Sequence, residues 1–228
     1  MPPRPAVLQG TPSDVDIWPL LGVSIAVSDI ELTPVDDRTA LDLGRLAAGG
    51  IHGNFLPFNS PWTRGSEVDV ARNVYRHQAR MRSELEPERW SLEFAARLDH
   101  TLIGVQSLTS DGFGTTQSAE SGSWLGQAWQ GKGIGTLNRI AILTLAFDGL
   151  GAQEVTTSAW ADNTASNAVT RKLGYEPNGE ERLDREGLVT VQKRFRMSRE
   201  MWDARGADLR PHVQLDGVEP LRAWLGID

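Results

Sequence analysis

Cysteine is absent from the chain. That excludes disulfides, cysteine-ligated zinc and any acyl-thioester intermediate on the protein itself. Histidine is scarce: His52, His77, His100 and His212 are scattered without ligand spacing, so no metal is expected. No apolar run approaches the ~18–20 residues that span a bilayer. The proline-rich start, MPPRPAVLQGTP, also lacks the basic-then-apolar form of a signal peptide. These absences fit a cytoplasmic protein with no membrane partner. Positive charge is in deficit, with 23 Lys and Arg against 30 Asp and Glu and a net charge of −7. Such a balance disfavours nucleic acid and mildly favours cationic or amine-bearing partners, although plain solubility is the commoner reason for it.

What is present reads as one domain with elaborations. At 228 residues a folded chain hides roughly 70–75% of its unfolded surface, enough for a real core without staples. Residues 1–22, with five prolines, are expected to form an irregular arm. Residues 23–202 form the domain, and 203–228 an appendage that docks on the body or on a second subunit, leaving a homodimer open. Apolar runs at 23–27 and 30–32, split by Ser28 and Asp29, predict a broken first strand at the sheet edge. A helix over 36–48 stops at Gly49-Gly50. The segment 51–65 holds Phe55, Phe58 and Trp62 among prolines and polar residues; it packs on the core or over a ligand cleft. Ser66 with Asp69 three later predicts a capped helix over 66–84.

Period-2 alternation predicts a hairpin of strands over 90–98 and 101–108. A fourth strand, 120–126, precedes a helix at 136–147 that is apolar nearly all round and therefore buried against the sheet. A strand at 154–160, a helix opened by Asp162-Asn163 and closed by Gly174, and strands at 179–184 and 188–197 complete an α/β pattern. The count is about seven strands and four helices.

The rest is organised around residues 120–135, ESGSWLGQAWQGKGIG. Glycines at 131, 133 and 135 let successive backbone N–H groups converge on one spot, and the following helix adds its unpaired amides and positive dipole end. This is a seat for a phosphorylated ligand. A nucleotide P-loop fails because position 133 is Gly where a hydroxyl residue would hold Mg²⁺. A dinucleotide fingerprint fails because its third glycine would fall at Thr136 or Asn138. No G-x-S-x-G elbow occurs. What remains is Q-x-x-G-x-G, filled by Gln130, Gly133 and Gly135, followed about 30 residues later by Asn163 and then by Leu173-Gly174-Tyr175.

With those blocks, E-S-G-S-W-L-G…Q-G-K-G-I-G and W-A-D-N-T-A-S-N-A-V-T-R-K-L-G-Y, the chain resembles the GCN5-related N-acyltransferases (GNAT) over roughly residues 30–202. It looks most like their ribosomal-protein N-terminal acetyltransferase (RimJ/RimL-like) branch, and F-N-S-P-W-T-R looks like actinobacterial members. The resemblance implies a mixed central sheet with a V-shaped split between its fourth and fifth strands. It also implies acetyl-CoA or another acyl-CoA as co-substrate and an amine acceptor: a small molecule, a peptide N-terminus or a lysine. The backbones of Trp124, Leu125 and Gly126 would pair with the donor's pantetheine. Gln130, Gly131, Lys132, Gly133, Ile134, Gly135 and Thr136 would hold its pyrophosphate, with Asn163 and Asn167 also at the coenzyme.

Glu120 matches the strand glutamate that in the family often faces the acceptor amine, and is the candidate base, directly or through a water; an ordinary strand-end carboxylate is the alternative. The family's usual acid, a Tyr seven residues beyond the helix-opening Asn, is Thr170 here. The branch tends to use Ser three beyond it, Ser166. With no cysteine, direct attack in a ternary complex is the expected route. Acetyl is the default acyl group; succinyl would want a cation near the acyl end, with Arg64 a source. The competing reading is a CoA-binding regulatory module without catalysis, kept alive by Thr170.

Overall fold

The computed structural model describes residues 11–205 and 212–227. Residues 1–10 of the expected arm, 206–211 of the appendage and the final residue lie outside them. One sheet holds nine strands among the described residues: β1 (Ser24–Val27), β2 (Ile30–Pro34), β3 (Arg89–Leu98), β4 (Thr101–Asp111), β5 (Ser118–Leu125), β6 (Glu154–Trp160), β7 (Glu176–Arg185), β8 (Leu188–Ser198) and β9 (Val213–Asp216). Their order is β7-β8-β6-β5-β4-β3-β2-β1-β9, and β5 with β6 is the parallel pair.

Two strands beyond the expected seven have separate causes. Ser28 takes a left-handed φ of +50°, so the interrupted first strand doubles back as a hairpin in which Val27 faces Ile30. Its short polar side chain tolerates that conformation better than a β-branched residue would. The other addition comes from the appendage: β9 pairs antiparallel with β1 from Ser24↔Asp216 to Val27↔Val213. The tail thus docks on the body.

Among the described residues eight α-helical segments accompany the sheet: α1 (Asp14–Ile17), α2 (Asp37–Ala48), α3 (Glu67–Ser83), α4 (Phe113–Thr116), α5 (Ile134–Thr144), α6 (Thr164–Lys172), α7 (Arg199–Asp203) and α8 (Val218–Leu225). The four long ones are those expected from periodicity. The predicted capping box is present, with the Ser66 side chain accepting from the Asp69 amide and Asp69 accepting from the Ser66 amide. Helices α2 and α3 cover one sheet face over Val35, Ala40, Leu43, Val70, Val74 and Val105. They approach closely at Gly44, where a Cβ would come within 2.8 Å of the Ala71 carbonyl. The other face carries the larger core, in which α5 packs Ile140, Ile142 and Leu143, and α8 adds Leu221 and Leu225. Within the stretch read as an arm, Leu20 is buried and Trp18 meets Trp224 with tilted rings, centroids 5.6 Å apart.

The feature that positions the site is a failure of pairing. Strands β5 and β6 are in register only at Ser118↔Glu154, Ala119↔Val155 and Glu120↔Thr156. Beyond that point β5 stays with β4 as far as Leu125↔Gly104, while β6 stays with β8 as far as Trp160↔Gln192. A wedge opens between them, with Glu120 at its apex.

Candidate active site

Along β5, side chains alternate between the two faces. Trp124 packs into the cluster under α2 and α3, and Leu125 into the cluster under α5. Glu120, four residues before Trp124, therefore points toward the α2–α3 face, where it is exposed and its Oε1 accepts from the Ser158 hydroxyl at 3.1 Å. The same face holds a chain of rings: His52 lies 6.0 Å from Phe58, Phe58 4.7 Å from Trp62, and Trp62 6.0 Å from Trp124. The aromatic segment 51–65 thus does both things left open by its sequence. Phe58 and Trp62 join the second core, and the loop also lies across the wedge, because Trp160 Nε1 donates to the Phe58 carbonyl at 3.2 Å.

The main-chain groups of β5 divide by the same alternation. The Gly126 amide donates to the Ile103 carbonyl and the Trp124 carbonyl abuts Gly104, so both residues turn their polar groups toward β4. The Ser121 carbonyl accepts from Thr157 Oγ1 across the wedge at 3.0 Å, so Ser121 faces β6. Alternation places Ser123 and Leu125 with it. Trp124 and Gly126, two of the three expected pairing groups, thus turn their main-chain groups to β4, whereas Leu125, with Ser123, faces the wedge. Residue spacing alone leaves the parity of a strand open, so the facing of Ser123 could not be read from it.

At the mouth of the wedge, Gly131 and Gly133 hold φ of +73° and +81°, and Gly133 is the N-cap of α5. No side chain caps this helix. Thr136 is the first residue of the turn whose amide finds a main-chain acceptor, the Gly133 carbonyl at 3.0 Å. The amides of Gly131, Lys132, Gly133, Ile134 and Gly135 are left without a protein partner among the described residues. Gly135 is helical, and a Cβ there would project between Leu125 and Val169, into the wedge. These features fit a diphosphate followed by a slender pantetheine arm.

The side chains around the loop have structural duties. Gln130 donates from Nε2 to the carbonyls of Ile51 (2.6 Å) and Leu125 (2.8 Å), tying the loop to β5. Ile134 is buried in the core and offers only its backbone, and Lys132 Nζ sits 5.3 Å over the Trp129 ring. Across the wedge, Asn163 Oδ1 caps α6 by accepting from the Ser166 amide at 3.1 Å. Asn167 is buried, donates to the carbonyls of Trp160 and Asn163, and keeps its Oδ1 unpartnered. Ser166 is half-buried at the first turn. Thr170 is fully buried and donates to the Ser166 carbonyl, so it has no access to the wedge. Arg64 is held by Glu186 in a bidentate pair at 2.8 and 2.9 Å, which keeps the Glu186 carboxyl below the usual carboxylate range.

No group of acidic or histidine side chains able to hold a metal occurs among the described residues. None of their helices is long and apolar enough to cross a membrane.

Comparison with known proteins agrees with this geometry. A family model described as "Acetyltransferase (GNAT) domain" matches residues 36–176. Among solved structures, the chain is similar to Mycobacterium smegmatis RimJ in complex with CoA-disulfide, at 20% identity over 90% of this chain and 95% of that one, with a TM-score of 0.68. It is similar to RimL, a ribosomal L7/L12 alpha-N-protein acetyltransferase in complex with coenzyme A, at 19% identity over 78% and 99% with a TM-score of 0.64. A third likeness is to ribosomal-protein-S5-alanine acetyltransferase from Vibrio fischeri, at 16% identity over 78% and 98%, with a TM-score of 0.62. At these identities the neighbours establish a shared fold.

Proposed function

Since the chain belongs to the GNAT acetyltransferase domain family, we propose that it transfers an acyl group from acyl-CoA to a primary amine by direct attack in a ternary complex. The observation that carries this reading is the conjunction of five bare amides at residues 131–135 with a wedge that runs from them to Glu120. Donor phosphates sit on the amides. The pantetheine threads the wedge against the Ser123 backbone, and the thioester comes to the apex. The acceptor enters from the opposite sheet face, between Glu120 and the rings of Phe58, Trp62 and Trp124.

An amine arrives as an ammonium and must lose a proton before its lone pair reaches the thioester carbon. Glu120 takes that proton, directly or through a water, a role typically worth ~10²–10⁴-fold. Its hydrogen bond from Ser158 fixes the carboxylate toward the apex. The Ser166 hydroxyl is the candidate to hand a proton to the departing sulfur, since Thr170 is sealed off. Acetyl is the donor group of this reading. Succinyl is less well supported, because Arg64 already neutralises Glu186. The acceptor of this reading is a peptide α-amine, as the RimJ/RimL-like resemblance implies, with lysines and small amines as the alternatives, and its compartment is the cytoplasm. The chemistry lies in residues 23–202, with 203–228 as a docked appendage.

Thiol release from acetyl-CoA against a panel of peptide α-amines, lysine peptides and small amines tests this. Release with at least one α-amine is expected. Tight coenzyme binding with no release from any amine would instead favour the non-catalytic module that a buried Thr170 suggests.

A further inference from the structure

Among the buried charges that the mechanism does not use, one lacks a counter-ion. Arg139 on α5 is 4% exposed. Its Nη1 donates to Thr157 Oγ1 at 3.0 Å, its Nε is buried without a partner, and its guanidinium lies 6.0 Å over the Tyr175 ring. It forms no ion pair with any carboxylate among the described residues. A cation withdrawn from water without a counter-ion destabilises a fold unless some other negative charge compensates it. An aromatic face and one hydroxyl do not amount to that.

Its position says where such a charge would arise. Gly135 and Arg139 are four residues apart on one helix and share a face. The missing Cβ of Gly135 points between Leu125 and Val169, the walls of the wedge. One turn further, about 5.4 Å along the axis, Arg139 reaches Thr157, the first β6 residue beyond the last pair with β5. Thr157 in turn donates to the Ser121 carbonyl, so the guanidinium is linked through one hydroxyl to both walls at the apex. Glu120 points to the opposite face of the sheet. Base and cation therefore flank the apex from its two sides.

We propose that Arg139 stabilises the negative charge that gathers on the coenzyme sulfur as the acyl group leaves; this rests on the donor reading above. The amine lone pair forms the C–N bond and the carbonyl π pair moves to oxygen. Collapse of that oxyanion breaks the C–S bond, and its electron pair departs on sulfur. Nitrogen sheds two protons: the ammonium proton passes to Glu120 and on to solvent before attack, and the second follows the same route as the intermediate collapses. The coenzyme leaves as a thiolate beside the guanidinium and is protonated from solvent, directly or relayed through the Ser166 hydroxyl. A fixed cation, itself withdrawn from water, stabilises the charge where it develops. It also accounts for a site in which the family's phenolic acid is replaced by a sealed threonine: a thiolate that is stable on leaving has less need of an acid.

Coenzyme A itself is the probe. Its binding to wild type, Arg139→Met and Arg139→Lys is followed by calorimetry, and ionisation of the bound thiol by ultraviolet difference absorbance across pH. All three proteins are expected to bind. In wild type the bound thiol should ionise at least about one pH unit below free coenzyme A, a tenfold change in the ionisation constant. Arg139→Met should return it to the free value, Arg139→Lys should keep part of the shift, and the Met variant should lose kcat at unchanged donor KM. Melting of the Met variant should be no lower than wild type, since an unpaired buried charge is gone. A bound thiol in wild type that ionises like free coenzyme A overturns the proposal, and so does a Met variant that titrates like wild type. Should Arg139→Met fail to fold, the wild-type shift and its reduction in Arg139→Lys decide. No binding to wild type would instead remove the donor reading, and this inference with it.

Discussion

Gly131 and Gly133 adopt left-handed φ with open space where a Cβ would project, so their requirement is conformational and not steric. An L-residue in that region costs roughly 1–2 kcal/mol. Gly133→Ala is therefore expected to lower unfolding free energy by about that amount and to weaken coenzyme A binding as the amides reorient; denaturant melts and calorimetry measure the two effects separately. Glu120→Gln keeps the shape of the apex and removes the base. Its kcat at neutral pH should fall ~10²–10⁴-fold with donor affinity unchanged, and a rate near wild type would reassign the proton acceptor. Glycine chemistry made the turn before α5 legible in sequence, since left-handed backbone at 131 and 133 suits glycine. The facing of Ser123 and the bonding of Gln130 were not legible. Each depends on which way a strand or side chain faces, and that is set by its partners: Ile103 for the Gly126 amide, Ile51 for the Gln130 amide.

At the scale of elements, the β7–β8 turn fastens both sides of the wedge. Arg185 forms a bidentate pair with Asp162 at 2.8 and 2.6 Å, at the entry to α6, and lies 5.1 Å over the Trp160 ring. Its neighbour Glu186 holds Arg64 of the aromatic segment, which is further anchored where Gln192 Nε2 donates to Asn59 Oδ1. Removing the exposed partner should cost little stability, because water and salt screen the pair. Glu186→Ala is therefore expected to leave the melting temperature and donor affinity near wild type while raising the acceptor KM, because the loop over the acceptor face loses a tether. Unchanged acceptor kinetics would show that the segment is held by its aromatic packing alone. Periodicity located every long helix and each sheet hairpin from β3 to β8. What it left open were elements decided by distant contacts. The 51–65 segment carries no period, and the interrupted first strand became a hairpin only because Ser28 adopts positive φ.

Over the whole molecule, two cores on opposite sheet faces hold the wedge open from either side, and charge placement within them ties stability to pH. Glu93 on β3 is 6% exposed under α3, where it accepts from Ser91 (2.9 Å) and Gln78 (3.1 Å) and lies 3.5 Å from His77 Nε2. Burial pushes its carboxyl up, but the His77 hydrogen bond and charge, with Ser91 and Gln78, outweigh that and leave it below the usual carboxylate range. A carboxyl lowered on folding stabilises the native state above its unfolded value of about 4.3 and loses that contribution as pH falls through the folded value. Glu93→Gln should destabilise by about 1–3 kcal/mol at pH near 7, and the gap to wild type should narrow as melts are repeated at falling pH below about 4. A gap independent of pH would mean that packing, not ionisation, makes the difference. The sequence pattern conveyed the α/β layering and the resemblance conveyed the split, whereas the joining of β9 and α8 to the body was invisible to any local pattern. The central claim, that bare amides at 131–135 seat a coenzyme diphosphate and bring its thioester to Glu120, is tested most directly by a crystal structure with coenzyme A. The account predicts the diphosphate within hydrogen-bond distance of those amides and the sulfur at the apex between Thr157 and Glu120. Coenzyme bound elsewhere, with that turn and wedge empty, would contradict it.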